Sequence, residues 1–325
     1  MSRTGRLLAT ALAIVVLGGG AAALLIYWAS SPDGPLGRTS ECRATVNGHT
    51  TVLTLDQAKH AATIASVGLA RDVPARAVTV ALATAYQESD IANIDYGDRD
   101  SLGLFQQRPS QGWGTAEQVQ DPVYAAGAFY DALLQVPGYR DMEITEAAQA
   151  VQRSAYPEAY ADHEDDARVL ASALTGYSEA ALWCTFTPDT VAAEAEGPDG
   201  LTDRARTVRD ALESAFGGLD IGGFQPGGVD SGHIEGSAHY DGRALDVMLR
   251  AYDDPAVNRR GWAVAHWATA YADELGIATV IYDDRIWTAR RSDEGWRTYT
   301  HPSGDTDNPT MRHLDHVHID VAEGA

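Results

Sequence analysis

The chain has 325 residues, which is enough for two domains of ordinary size, each with its own core. Its formal net charge of −22 argues against nucleic-acid binding, because phosphate backbones are bound by clustered Lys and Arg. We relate the acidity to solubility and infer no substrate from it.

The N-terminal segment is predicted to be a membrane anchor. Arg3 and Arg6 precede an apolar run over residues 7–28 that contains no charged residue. A run of this length can span a bilayer, and the positive-inside rule places the N-terminus in the cytoplasm and the remaining chain outside. A cleaved signal peptide is the alternative. We therefore expect a single-pass protein of the cytoplasmic membrane, with an anchor over residues 1–30, a stalk over residues 31–50 and extracytoplasmic catalytic domains.

Cys42 and Cys184 are the only two cysteines of the chain. An even pair in an exported protein most simply forms one disulfide, which would join the two ends of the first domain. The alternative is two buried free thiols, which an oxidising compartment disfavours.

Residues 51–184 are predicted to form an all-α domain. A capping box at Thr54 and Gln57 begins the first helix, and a second helix runs up to Glu88. Further helices are predicted over residues 121–134, 143–154 and 157–174.

Glu88 is the candidate catalytic acid of this domain. It ends a packed helix and is followed by Ser89, an acidic loop and the string Ser101–Gln107. Glycoside cleavage needs a carboxylic acid whose pKa is raised by apolar surroundings, so that it can protonate a leaving oxygen near neutral pH. The alternative is a surface glutamate beside a turn-forming serine.

Glu88-Ser89 and Gly103-Leu104-Phe105-Gln106 resemble the lysozyme-like fold of lytic transglycosylases and goose-type lysozymes. In those proteins a Glu-Ser pair ends a helix, and a Gly-Leu-Met-Gln or similar string follows. The resemblance covers residues 51–184. It implies that Glu88 is the catalytic acid and that Gln106, Gln107 and Tyr160 line the sugar groove.

Residues 185–201, with Pro188 and Gly197-Pro198, are predicted to be a linker. Residues 202–325 then mix helical and strand periodicity, which predicts an α+β domain. Its helices are expected over residues 202–216 and 255–275, and its strands over residues 244–249, 279–282 and 316–321.

Two motifs of the second domain predict a mononuclear zinc site. The ten residues Ser237–Asp246 are followed late in the chain by Asp315-His316-Val317-His318. Two imidazoles and one carboxylate leave a fourth tetrahedral position open for water, as in catalytic zinc sites. In a strand, His316 and His318 lie on one face because the side-chain period is two.

These motifs resemble the zinc peptidases that include D-Ala-D-Ala carboxypeptidases, phage L-alanyl-D-glutamate endopeptidases and the hedgehog N-terminal domain. The pattern SxHxxGxAxD of that family is matched at every specified position by residues 237–246. The resemblance implies that His239, Asp246 and His318 bind zinc and that Asp315 is the general base. His316 would flank the same water and stabilise the developing oxyanion. A site that binds zinc without catalysis is the alternative.

One departure from that family concerns specificity. Its enzymes commonly carry an upstream Tyr-Arg pair whose Arg holds a substrate carboxylate, whereas this chain has Phe224-Gln225. Gln cannot form the bidentate ion pair, which leaves an endopeptidase or an altered specificity open. Trp287 follows a predicted strand and is a candidate to line the cleft.

Both predicted domains indicate the same polymer, bacterial peptidoglycan, which contains sugar linkages and stem-peptide amides. We expect an anchored hydrolase in which Glu88 cleaves glycan and a zinc ion cleaves peptide. The alternative is a peptidoglycan-binding or scaffold protein with one or both sites idle.

Overall fold

The computed structural model describes residues 39–154, 158–304 and 307–325, beginning with a small antiparallel sheet. Its strands are β1 (Glu41–Val46), β2 (His49–Leu53) and β3 (Leu182–Thr185), in the order β2-β1-β3. Cys42 and Cys184 are directly opposite in β1 and β3 and form a disulfide, which confirms the predicted bridge.

Helices make up most of the first half of the chain. The capping box at Thr54 and Gln57 begins α1 as predicted. Many of the buried residues of the first two helices are alanines, whose small side chains permit close packing. The helices are α1 (Leu55–Ala70), α2 (Ala75–Ser89), α3 (Ala116–Gln120), α4 (Pro122–Leu134), α5 (Ile144–Gln152) and α6 (Glu164–Leu174).

The fold class predicted for this half is wrong, because β1–β3 make it a mixed α and β structure rather than an all-α domain. Asn47 and Gly48 both have positive φ, as a two-residue hairpin turn requires, and the flanking residues alternate in burial. That hairpin lies partly within the predicted stalk. The sequence does contain a signal for this hairpin, an Asn-Gly turn between β-branched residues, but the predicted elements did not include it.

The predicted transmembrane helix and membrane location are also corrected. Within the three described ranges, no helix combines the length and the apolar character needed to cross a bilayer. Residues 1–30, on which the anchor was predicted, lie outside the described residues.

A second, six-stranded antiparallel sheet organises the other half, in the order β4-β5-β9-β6-β7-β8. One face packs against a long helix, where the ring of Trp262 lies edge-on to that of Tyr282. The elements are α7 (Asp203–Phe216), β4 (Ile221–Gly222), β5 (Ala244–Met248), α8 (Pro255–Ala270), α9 (Ala272–Leu275), β6 (Ile277–Tyr282), β7 (Arg285–Thr288), β8 (Arg297–Thr298) and β9 (His316–Val321).

The two halves share buried contacts. His266 on α8 is fully buried; its Nδ1 lies 2.8 Å from the Ala173 carbonyl oxygen and its Nε2 accepts from the Ala181 N–H at 3.0 Å. The Trp287 indole N–H donates to the Cys184 carbonyl at 3.2 Å. Residues 40–325 accordingly form one compact unit.

Candidate functional sites

The predicted metal ligands come from two paired strands of the second sheet and from the short turn that precedes one of them. Asp246 and His318 are directly opposite in β5 and β9, so their side chains point to the same face. His316 is two residues before His318 and shares that face. His239 arrives from the short 3-10 turn Ala238–Asp241, which precedes β5.

The three candidate ligand atoms are close together. His318 Nδ1 lies 3.1 Å from Asp246 Oδ1 and 3.2 Å from His239 Nε2, and His239 Nε2 lies 3.4 Å from Asp246 Oδ1. Tetrahedral metal bonds of about 2.0–2.1 Å separate neighbouring ligand atoms by about 3.3 Å. All three side chains are buried. This group could therefore hold a metal ion.

Polar partners lie on the outer side of both histidine rings. His239 Nδ1 lies 2.7 Å from the carbonyl oxygen of Gly223, which can only accept, so this nitrogen carries the proton and Nε2 keeps its lone pair. His318 Nε2 lies 3.5 Å from Asp320 Oδ2, leaving Nδ1 toward the ligand group. Such outer partners are typical of metal-binding histidines.

Within the ligand group, neighbouring charges favour the ionised form of Asp246 and the protonated form of His318. Burial alone would raise the pKa of Asp246, but His239 and His318 outweigh it and lower that pKa. Burial would lower the pKa of His318, but the carboxylates of Asp246 and Asp320 raise it to about 9. A metal ion would have to displace the proton of His318, so binding would release a proton.

Because Gly223 has no side chain, His239 and Asp246 can lie directly against its backbone. Its φ is +83°, and a Cβ there would lie 2.5 Å from His239 Cε1 and 3.0 Å from Asp246 Oδ2. Any larger residue would displace the ligand group, so the position requires glycine.

Asp315 contacts the ligand group through His316. Asp315 Oδ1 lies 2.8 Å from His316 Nδ1, and Oδ2 accepts from the Thr310 hydroxyl at 2.6 Å. His316 Nε2, on the other side of the ring, lies 3.9 Å from Asp246 Oδ1. The imidazole of His316 is therefore the nearer of the two side chains to the ligands.

Two further histidines border the group and had no assigned role in the sequence prediction. The ring centroid of His233 is 4.0 Å from that of His239, and the centroid of His313 is 4.6 Å from that of His316. Burial, with His316 next in effect, lowers the pKa of His313 to about 2, so it is neutral at physiological pH. The HxxHxH spacing that ends at His318 was the signal for His313.

Trp287, predicted to line the cleft, is fully buried and packs against the ring of Phe186. Its indole contributes to the core between the two halves of the chain. The structure therefore does not bring Trp287 to an open groove.

The Glu88 side chain lies in the last turn of α2 and is half-buried. The hydroxyl of Tyr160, itself fully buried, donates to Glu88 Oε1 at 2.7 Å. Ser89 donates to the Leu104 carbonyl at 2.8 Å, which ties the helix end to the Gly-Leu-Phe-Gln string. The structure thus brings Tyr160 to Glu88.

The two glutamines predicted for the sugar groove are turned toward the backbone. Gln107 is buried, and its amide donates to the Ala125 carbonyl at 3.0 Å. The Gln106 amide donates to the carbonyl oxygens of Tyr96 at 3.2 Å and Gly103 at 3.3 Å. These contacts give Gln107 a structural role and leave Gln106 nearer the surface.

Comparison with known proteins covers part of the second half. Residues 197–310 match the family model of the VldE C-terminal domain. The chain is similar to that domain over residues that include His239 and Asp246, while His316 and His318 lie beyond the match. No curated protein matches the sequence.

Proposed function

We propose that this chain is a zinc-dependent hydrolase that cleaves amide bonds in the stem peptides of peptidoglycan. The observation that carries the proposal is the ligand group: the three donor atoms of His239, Asp246 and His318 are separated by 3.1–3.4 Å. Two imidazoles and a carboxylate are the ligands of catalytic zinc sites, and three protein ligands leave a position for water.

Zinc, when bound, lowers the pKa of water to about 7 and polarises a carbonyl. The chain supplies the group that accepts the proton. Asp315 holds the Nδ1 proton of His316, which leaves Nε2 as an acceptor facing the ligand group. We therefore assign proton transfer to His316 and a positioning role to Asp315, in place of the direct base role implied by the family resemblance.

Peptidoglycan as substrate rests on the match to SxHxxGxAxD and on the second candidate site. Glu88 is proposed as the acid that protonates a glycosidic oxygen. Its support is the contact with the buried Tyr160 hydroxyl, which orients the carboxyl group at a helix end. The two activities would act on different bonds of one polymer.

The proposal is tested with the full chain, zinc and purified peptidoglycan, with the released fragments analysed by mass spectrometry. New amino and carboxyl termini should be lost in Asp315→Ala and on chelation, whereas new sugar ends should be lost in Glu88→Gln only. A peptidoglycan-binding protein without catalysis would release neither, yet would still sediment with the polymer.

A further inference from the structure

A cavity of about 560 Å³ lies in the first half of the chain, and no residue of the candidate metal group lines it. Its walls are the turn of the β1–β2 hairpin, the start of α2, one face of α6 and the side chain of Tyr177. Arg76 is in the first turn of α2, and Glu88 is twelve residues further along the same helix. Twelve residues of helix span about 18 Å, so the cavity is separate from the Glu88 site.

Tyr177 is an exposed aromatic side chain of this cavity, with 61% of its surface accessible, yet it is held in place. The guanidinium of Arg259 lies 4.8 Å from the ring centroid and covers one face of the ring. Gly176, with φ +76°, packs against the Arg259 backbone, where a Cβ would lie 1.9 Å from the carbonyl oxygen. The Ser178 N–H donates to the Ser172 carbonyl at 3.1 Å. The second face of a fixed aromatic ring is therefore open to a ligand.

Arg76 is a half-buried cation of the cavity lining without a counter-ion. Its Nη2 donates to the Met142 carbonyl, and its Nε is buried without a partner. Its Nη1 is not buried, and within the described residues it has neither a hydrogen bond nor an ion pair. The chain has 46 acidic and only 24 basic residues, so an arginine without an acidic partner stands out. A carboxylate of a ligand would match this free end of the guanidinium.

The other charged side chains of the lining determine where an anionic group can bind. Arg168 is already in an ion pair within α6, and His49 Nε2 lies 2.8 Å from Asp166 Oδ1. Asp165 has no ion pair or hydrogen bond within the described part of the chain. Its carboxylate repels an anionic group, which is thereby directed to Arg76, and can accept from hydroxyl groups instead.

We propose that this cavity is a glycan-binding site, distinct from the catalytic sites, for an amino sugar that carries a carboxylate. The sugar ring would stack on the open face of Tyr177, its carboxylate would bind Arg76 Nη1, and its hydroxyl groups would donate to Asp165. The volume is within the range of small-molecule sites, about 300–1,000 Å³.

The choice of a peptidoglycan sugar rests on the proposed function. N-acetylmuramic acid is the sugar of that polymer with a carboxylate, which is free only where the amide to the stem peptide has been hydrolysed. The site would therefore select glycan strands from which stem peptides have been removed. An amide hydrolysis at the sugar must precede binding and supply this ligand.

The test compares N-acetylmuramic acid with N-acetylglucosamine, which differ only in the lactyl group that carries the carboxylate. Dissociation constants for the full chain are measured by NMR titration of the ligand signals. We expect N-acetylmuramic acid to bind about tenfold more tightly, as a charge-assisted hydrogen bond implies. Arg76→Gln should remove this preference, whereas Tyr177→Ala should weaken the binding of both sugars about three- to tenfold.

Three control variants should bind both sugars as the wild type does. Arg250→Gln removes an exposed arginine that is paired with Asp220, and Tyr252→Ala removes an exposed tyrosine outside the cavity. Glu88→Gln shows whether the sugars bind at the candidate catalytic acid instead. A preference that is lost in Glu88→Gln would place the sugar there and overturn the proposed site.

Equal binding of the two sugars by the wild type, or a preference that survives Arg76→Gln, would also overturn the site. Tyr177 is exposed, so Tyr177→Ala tests the site even if Arg76→Gln does not fold, and unchanged affinities in that variant would refute it. An Arg76-dependent preference in protein that releases no fragments from peptidoglycan would leave the binding site standing and refute the proposed hydrolase. Fragment release without any sugar preference would refute the binding site alone.

Discussion

Asp246 and His318 face each other across the β5–β9 strand pair, with Oδ1 of the carboxylate 3.1 Å from Nδ1 of the imidazole. The candidate metal group therefore depends on strand register. A slip of one residue in either strand would turn one ligand into the opposite face of the sheet. Val317 and Ile319 alternate with the histidines along β9 and are buried on its other face, so a slip would also remove these apolar side chains from the core.

We predict that Gly223→Ala impairs metal binding. The added methyl would lie 2.5 Å from His239 Cε1 and would displace a ligand whose outer hydrogen bond is to Gly223 itself. Zinc affinity, measured by competition with a chromogenic chelator, should fall about 10- to 100-fold. Gly227→Ala is the matched control, because Gly227 has φ +87° but an added methyl there would meet no atom within 4 Å. If the two variants lost zinc affinity equally, backbone strain alone would explain the effect, and the contact with His239 would not.

We predict that Asp315→Asn and His316→Gln lower peptide cleavage to a similar extent, about 10²- to 10⁴-fold in kcat. The two side chains act as one unit through their 2.8 Å contact, so the double variant should lose little more than either single one. Zinc content should remain unchanged. If Asp315 were the direct base, His316→Gln would keep far more activity than Asp315→Asn.

We predict that the disulfide contributes strongly to the free energy of unfolding. Cys42 and Cys184 are 142 residues apart. In the entropic account, closing a loop of that length raises the free energy of the unfolded chain by about 5 kcal/mol. We expect reduction to lower the free energy of unfolding, measured in urea, by several kcal/mol. The Cys42→Ser, Cys184→Ser variant should match the reduced wild type and should not respond to reductant. A reductant-sensitive double variant would exclude the bridge as the cause.

His266 should make the protein less stable in mild acid. Burial lowers the pKa of His266 to about 4, against an ordinary value of 6.5. The unfolded state therefore binds the proton first as pH falls, and the stabilisation present above pH 6.5 declines by about 3 kcal/mol on the way to pH 4. His266→Gln, which can also donate and accept, should flatten this part of the urea-unfolding pH profile. An unchanged slope in that variant would assign the pH dependence to other groups.

Local sequence signals predicted several elements but not the way they assemble. The capping box at Thr54 and the strand placement of His316 and His318 follow from short-range rules, and the structure has both. The partnership of His266 with Ala173 and Ala181 joins residues far apart in the chain, so no local pattern reveals it. Periodicity likewise gave no signal that α8 would pack against the first half.

The candidate metal site was predictable because its motif has fixed spacing, whereas its surroundings were not. The family resemblance implied that Asp315 is the general base, whereas the contact of its carboxylate with His316 Nδ1 could be seen only in the fold. Trp287 was predicted to line a cleft because it is aromatic. In β7, however, it lies on the strand face that points into the core.

The most direct test of the central claim combines metal analysis with peptidoglycan digestion for wild-type protein and Asp246→Asn. Protein prepared with zinc is dialysed, its metal content is measured by mass spectrometry, and its peptidoglycan products are identified. We predict one zinc per chain and cleaved stem-peptide amides for the wild type, with both lost in Asp246→Asn. Folded wild-type protein that retains no zinc, or an Asp246→Asn variant that cleaves amides as well as the wild type does, would contradict the claim.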